Sequence, residues 1–333
     1  VKQITPGDHF LERRSVHPAH RRLHTQPISA PLYVVTAVFN PQRFESRQRL
    51  YHQFEKHAED AGAIPYTVEL ALRDRHFEVT DFENPRHIQV RGESELWYKE
   101  NLFNIGVRHL PADWEYVALV DADFHFTRAD WAEETLQMLQ HYHAVQMYAH
   151  LTYESFDHRP LNYMRSFAYL HVNRHELPAG YGHQGAVGGA WAFRRSAFAQ
   201  IGGMLDCCIL GSGDWHMAFG LAMRTDYHPE LTELRNIPEY ISKIRKWHEQ
   251  AKVLKGNIGY VDGHAIHNWH GSLKNRQYIT RPQILVRNHF DPTTDLIHDE
   301  NGVLQLAGNK PALRDDIRAY FRQRHEDSID ILT

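Results

Sequence analysis

Asp121 and Asp123, one residue apart, close the apolar run Tyr116-Val117-Ala118-Leu119-Val120. An uninterrupted apolar run of this length reads as a strand buried on both faces, as in the middle of a parallel sheet. Ligands of open α/β sheets gather beyond the carboxyl ends of such strands. Two carboxylates there can hold a hard divalent cation, Mn²⁺ or Mg²⁺, and the cation can neutralise a diphosphate. The same triplet is also an ordinary acidic turn, so other residues must decide between the readings.

Late in the chain His264-Ala-Ile-His267-Asn-Trp269-His270-Gly271 places three histidines within seven residues at the end of a strand-like run. Alone they read as turn histidines. Beside Asp121 and Asp123, a ring nitrogen from His267 or His270 would complete a metal shell with open positions, and an imidazole favours manganese-type ions over magnesium. Gly211-Ser212-Gly213-Asp214-Trp215-His216 sets an acid at the opening of a helix. Asp214 there is either an N-cap or a base able to take a proton from an attacking hydroxyl. Gly188 and Gly189 would let an acceptor approach the backbone. Trp191 and Trp215 would stack on a sugar or base if they are not core residues. Lys99 can reach a phosphate, as can Lys274 or Arg276, and Glu69 at the end of a strand can accept a bond from a nucleobase imide.

The elements that must carry these groups alternate. Leu32 to Phe39 reads as a strand, and Phe44, Tyr51, Phe54, Ala58 and Ala61 recur at helical spacing before Gly62. Ile64 to Leu72 and Arg86 to Val90 read as strands, Glu95 to His109 as a helix, and Ala144 to Ala149 as another strand. Asp130 with Glu133 reads as a capping box for a helix Trp131 to Gln140. This alternation predicts an α/β fold with a mostly parallel sheet flanked by helices. Beyond Arg159 the pattern turns irregular, apart from a strand-like run Asn257 to His267 and a tail helix Ala312 to Arg324. The expected organisation is an arm at 1–30, a nucleotide-sugar half at 31–155, an acceptor and metal-completing half at 156–295, and a tail at 296–333.

The 333 residues are 42% hydrophobic and 23% charged, which is ordinary for a water-soluble globular chain. No apolar stretch approaches the roughly 20 residues of a membrane helix, and no leader-like segment opens the chain, so a cytoplasmic protein with no membrane partner is expected. Cys207 and Cys208 are adjacent, which suits neither an ordinary disulfide nor a cysteine zinc site. The formal charge of −4 conceals two basic segments, 159–205 and 271–290, able to face phosphates.

In this order the motifs resemble glycosyltransferases of the GT-A fold, a Rossmann-like α/β architecture with an irregular acceptor-side half. The GSGDW segment is similar to the acidic motif of the galactosyltransferase and polypeptide-GalNAc-transferase branch, with Gly213 where that branch usually carries a second acid. The combination of TAVFNP, ELWYKENL, DADF, GSGDWHMA, HNWHGS and RHEDSID is similar to bacteriophage-encoded glycosyltransferases related to the base J glucosyltransferase family. The resemblance implies a UDP-sugar donor, UDP-glucose first, with Thr36, Phe39, Asn40, Glu69, Lys99, Asp121, Ala122, Asp123, Lys274 and Arg276 around it. It implies a metal held by Asp123 with His267 or His270, and by Asp121 where that residue does not bind ribose. It further implies Asp214 as base of an inverting transfer, with Gly188, Gly189, Trp191 and Trp215 toward the acceptor. The implied acceptor is a hydroxymethylated pyrimidine in DNA, met in the host cytoplasm. Glycan or protein acceptors, metal-dependent phosphoester hydrolysis, and a binding module using its tryptophans without catalysis are the other readings.

Overall fold

In the computed structural model, residues 26, 28–178, 185–225 and 234–329 are described. Most of the expected arm at 1–30 lies outside them. In chain order come β1 (Leu32–Phe39), α1 (Glu45–Asp60), β2 (Ile64–Leu72), β3 (His87–Gly92), α2 (Lys99–Arg108) and β4 (Tyr116–Val120). Next are β5 (Phe124–Phe126), α3 (Trp131–Leu139), β6 (Ala144–Gln146), β7 (His150–Glu154), β8 (Pro160–Arg165), α4 (Phe167–Val172), β9 (Ala190–Arg194), α5 (Arg195–Gln200) and α6 (Gly213–Leu221). The chain continues through α7 (Pro238–Ala251), β10 (Ile258–Tyr260), β11 (His264–His267), α8 (Pro282–Arg287), β12 (Leu296–His298), β13 (Leu304–Leu306) and α9 (Pro311–Arg322).

Local chemistry accounts for several boundaries. The apolar stripe of α1 buries Leu50, Tyr51, Phe54 and Ala58, and Gly62, at φ 76°, turns the chain where a side chain would be strained. Helices α7, α8 and α9 each begin on a proline, whose missing N–H costs nothing in the first turn. The expected capping box at Asp130 does not form: its carboxylate takes Arg128 at 2.7 and 2.9 Å. A charge-assisted fork is the stronger bond, and it leaves the helix amides to others.

Seven strands form the main sheet in the order β10-β6-β9-β4-β1-β2-β3. All neighbours are parallel except β9, which runs antiparallel to both β4 and β6. The molecule is therefore α/β, with helices flanking a mostly parallel sheet. Val34, Val35, Val117, Ala118 and Val120 of the central strands are fully buried, as their unbroken apolar runs require. Two expected strands differ. The runs 144–149 and 257–267 each break, and the parallel pair β6/β10 of the main sheet gives way to the parallel pair β7/β11 in a second sheet, ordered β5-β11-β7-β8. The hinge is Gly263, whose carbonyl accepts from the amides of both Ala149 and His150. Residues 190–194, within the stretch beyond Arg159 read as irregular, are strand β9. Among the described residues no helix is long and apolar enough to cross a membrane.

Helix α2 carries the Lys99 end of the site and lies hard on the sheet. A Cβ on Gly106 would stand 2.4 Å from Val35 Cγ1 and 2.9 Å from Val68 Cγ2. Gly106→Ala gains about 1 kcal/mol of helix propensity, but overpacking costs about 1 to 3 kcal/mol. A net loss of up to about 2 kcal/mol is expected, read as a lower urea midpoint; a raised midpoint would show that the sheet yields here.

Candidate active site

The two distant motifs meet through a short antiparallel ladder. Strand β5 starts directly after Asp123 and pairs with β11 so that Phe124 faces His267. The next residue, Asn268, donates both its backbone amide (2.9 Å) and its side-chain amide (3.1 Å) to the Asp123 carbonyl. His267 and His270 are thus brought over the Asp123 carboxylate, with Nε2 atoms 3.8 and 3.2 Å from Oδ1 and Oδ2. One ligand atom from each of the three buried residues lies within 4.8 Å of the others.

This trio fits a divalent cation on three counts. Asp123 Oδ1 is buried and has no hydrogen-bond partner, a costly state that a cation would relieve. His270 Nδ1 lies 3.0 Å from the Asn268 carbonyl, and a proton held there turns the lone pair of Nε2 toward Asp123. Burial holds the His267 ring down to about 3 and the His270 ring well below the ordinary value, with Arg276 adding to both. Both rings are therefore neutral near pH 7, the form that ligates. Burial also raises the Asp123 carboxyl, against the pull of Arg47, Arg276 and Lys99. The guanidinium of Arg276 donates to His270 Nε2, so a cation would have to displace it to reach that lone pair. One oxygen and two nitrogens suit Mn²⁺ better than Mg²⁺.

Depressed histidines have a consequence for the whole fold. Burial keeps His57 and His150 down to about 4 as well, helped by the neighbouring His125 and His264 respectively. Below about pH 6.5 the unfolded chain takes up protons on these rings while the folded chain does not. Stability is expected to fall progressively as pH drops from about 6.5 toward 4, measurable as declining urea midpoints. A flat profile over that range would contradict the buried neutral state.

Lys99, Asp121 and Asp214 form a second group. Lys99, buried in the first turn of α2, lies 3.3 Å from Asp121 Oδ2 and 3.8 Å from Asp214 Oδ2. Burial lowers its pKa, but Asp121, Asp214 and Glu100 outweigh that and hold the ammonium charged. Burial raises Asp121, with Lys99 opposing and Asp123 and Asp214 reinforcing. The neighbouring Glu100 is pushed up to about 8 by burial, so it is neutral near pH 7. Ser212 occupies the N-cap of α6 in the left-handed region, and Asp214 sits in the first turn with its carboxylate toward the cleft. Strand β9 brings in the glycines: the Asp121 amide bonds the Gly189 carbonyl at 2.8 Å. A Cβ on Gly188 would lie 2.1 Å from Asp214 Oδ2, and one on Gly189 would lie 1.9 Å from Phe124. Tyr148 Oη donates to the Gly188 carbonyl at 2.7 Å and holds the segment in place.

Lys99, Asp121 and Asp214 line one cleft of about 220 Å³ with His267 of the trio, together with Trp97, Tyr153, Trp215, Tyr278, Arg276 and Arg281. Other residues singled out in the sequence lie elsewhere. Thr36 is buried and donates to the Val120 carbonyl, Phe39 packs edge-on against Trp97 and Tyr98, and Ala122 packs beside Val38 and Tyr51. Asn40 closes its own turn with Phe44. The Glu69 carboxylate accepts from the amides of Glu78, Val79 and Thr80 and from the Thr80 hydroxyl, which takes up the roughly four acceptor positions of a carboxylate. Trp191 is buried in β9 with its indole donating to the Val187 carbonyl. Lys274 is exposed, away from the cleft lining. Of the basic segment at 271–290, Arg276 and Arg281 turn inward. Cys207 and Cys208 are free and buried.

No family model matches the sequence, and no curated protein matches it. Solved structures do match in shape. One is the catalytic domain of Drosophila β1,4-galactosyltransferase 7 with xylobiose, at 11% identity and TM-score 0.38 over 85% of this chain and 98% of that one. A point mutant of that enzyme with manganese, UDP-Gal and xylobiose matches at 12% identity and TM-score 0.40 over 85% and 99%. A protein from Desulfovibrio desulfuricans G20, assigned as a nucleotide-diphospho-sugar transferase, matches at 11% identity and TM-score 0.32 over 89% and 98%.

Sequence reading missed the cations and the strap behind the trio. Arg47, in the first turn of α1, lies 3.6 Å from Asp123 Oδ2 and forks onto Glu326. Glu326 also takes Arg324 Nε at 2.6 Å, and these arginines outweigh its burial and hold it down to about 2. Asp327 receives the amides of Glu45 and Ser46, both at 2.8 Å, and Trp269 Nε1 donates to the Ser328 carbonyl at 2.8 Å. The chain's last described residues thus tie α1 to the His270 loop. The local signal was the RHEDSID ending, rich in charge but without periodicity.

Proposed function

We propose that the chain is a metal-dependent glycosyltransferase that moves a hexose from a UDP-sugar to a hydroxyl acceptor. The observation that carries this reading is a buried Asp-His-His trio with an orphaned carboxylate oxygen, whose His267 lines one cleft with Lys99, Asp121 and Asp214. The metal, when bound, supplies positive charge to the diphosphate. Asp123, His267 and His270 hold it, while Lys99, Arg276 and Arg281 offer further cations to the leaving group. The acceptor oxygen bonds to the anomeric carbon, the bond from that carbon to the diphosphate breaks, and Asp214 takes the hydroxyl proton, which corresponds to inversion. Asp121, bound to Lys99, is assigned to the ribose or to the second edge of the metal.

For the acceptor we propose a planar base bearing a hydroxymethyl group, a 5-hydroxymethyl-pyrimidine in DNA, with UDP-glucose as donor. Support comes from the cleft wall, which the aromatic residues Tyr153, Trp215 and Tyr278 line beside Arg276 and Arg281. The test incubates the protein with UDP-glucose, Mn²⁺ and hydroxymethylcytosine- or hydroxymethyluracil-containing DNA, then digests the DNA and weighs the nucleosides. A hexose added to the modified base is the expected result. UDP release without that mass redirects the acceptor to glycans or proteins, and no UDP release with any acceptor would sink the transferase reading.

A further inference from the structure

The carboxyl end of β4 carries the candidate active site, but three more parallel strands, β1, β2 and β3, end beside it. Their ends line a separate cleft of about 300 Å³, with Pro41 and Gln42 following β1, Arg73 to Arg75 following β2, and Glu93 to Glu95 following β3. Its far wall is α9. Strand ends of this kind are where α/β sheets bind ligands, and about 300 Å³ is the lower limit of ordinary small-molecule sites.

The charges are lopsided. Arg73 and Arg75 face the cleft from one side, and Lys310, Arg314, Arg318 and Arg322 from the other, against Asp74, Glu93, Glu95 and Asp295. Two of these acids are already committed. Asp295 is buried and takes Lys310 Nζ, Asn309 and the Asp291 amide; Glu95 takes Arg318 and Gln42. Glu93 meets Arg73 at 3.6 Å with both side chains largely exposed, a weak pairing. Arg75 donates to the Pro41 carbonyl, Arg314 pairs with its exposed neighbour Asp315, and Arg322 makes no ion pair among the described residues. Each guanidinium has five N–H donors, so most of the donors on these arginines are unspent.

Three arginines four residues apart on one helix repel one another; Arg318 ties α9 to Glu95, but Arg314 and Arg322 are exposed and lie off the buried face of Leu313, Ile317, Tyr320 and Phe321. Five of the six cations are arginines, whose planar forks match phosphate oxygens in pairs. We propose that this cleft is a second ligand site, separate from the transferase centre, for a small molecule with at least two phosphate groups, held between Arg73 and Arg75 on one wall and Arg314, Arg318 and Arg322 on the other.

Calorimetric titration of the whole protein with inorganic pyrophosphate, in EDTA and with sulfate held at equal ionic strength, tests this. One-to-one binding is expected in the wild type and undiminished in Arg281→Ala, which removes a cation of the first cleft. A loss of tenfold or more is expected in Arg75→Ala and in the Arg314→Ala/Arg322→Ala double variant. These side chains lie at the surface, and a melting temperature equal to wild type certifies their fold. The proposal is overturned by no binding to wild type, by unchanged binding in the Arg75 and Arg314/Arg322 variants, or by loss of binding in Arg281→Ala, which would place the anion in the first cleft. An oligonucleotide that binds through the same arginines and is not displaced by pyrophosphate would also overturn it, in favour of a polyanion surface. None of these outcomes depends on sugar transfer, so failure here leaves the transferase reading standing.

Discussion

Asp123→Asn is expected to abolish Mn²⁺-dependent turnover of a UDP-sugar, with a loss of about a thousandfold or more. The substitution keeps the shape of the side chain and removes its charge. What remains of the trio is an amide and two neutral imidazoles, because burial keeps His267 and His270 unprotonated. A site without a formal negative charge binds a divalent cation far more weakly. Several kcal/mol of charge stabilisation on the leaving diphosphate goes with the cation, and each 1.4 kcal/mol or so is a factor of ten. Mn²⁺ affinity by calorimetry should fall in parallel with the rate. Arg47 and Arg276 both rely on Asp123 as a counter-charge, so circular dichroism must accompany the assay. A folded Asp123→Asn protein with wild-type Mn²⁺ affinity would remove the metal assignment altogether.

Asp214→Asn should act differently. Its carboxylate lies 3.8 Å from Lys99 and is not part of the trio, so Mn²⁺ affinity is expected to stay within about twofold while kcat falls by about 10²- to 10⁴-fold, the usual worth of a positioned base. Gly188→Ala offers an independent check. Its new Cβ would stand 2.1 Å from Asp214 Oδ2, so the carboxylate must swing away, and kcat should drop without any change of charge. A kcat within tenfold of wild type in Asp214→Asn would rule out this base and with it the inverting route.

The two variants separate functions that the sequence presents as a single acidic theme. Asp121, Asp123 and Asp214 look alike as letters, yet one is tied to a lysine, one sits under two imidazoles and one faces open cleft. Burial and neighbours distinguish them, and neither is local.

Much of the architecture was legible because its signals are local. The runs 32–39, 64–72 and 116–120 announce strands by their own composition, α1 announces itself by an apolar residue every three or four positions, and the parallel order follows from the alternation. Chemistry-bearing types at strand ends, such as Asp123 and His267, were visible for the same reason. Pairing decided the rest. Strand β9 inserts antiparallel between β4 and β6 and carries Gly188 and Gly189 against Asp121, and the β5–β11 ladder alone sets His267 beside Asp123, over 140 residues away in the chain. Glu69, Asn40 and Thr36, polar residues near a presumed pocket, spend their side chains on the backbone, because buried polar groups must find partners wherever the fold supplies them. Arg47 stood in no motif and yet braces the trio, through Glu326 of the RHEDSID segment. The sequence by itself determined which elements form and which of them end in reactive side chains; only the tertiary structure decided which side chains meet, since that depends on contacts between segments that carry no record of one another.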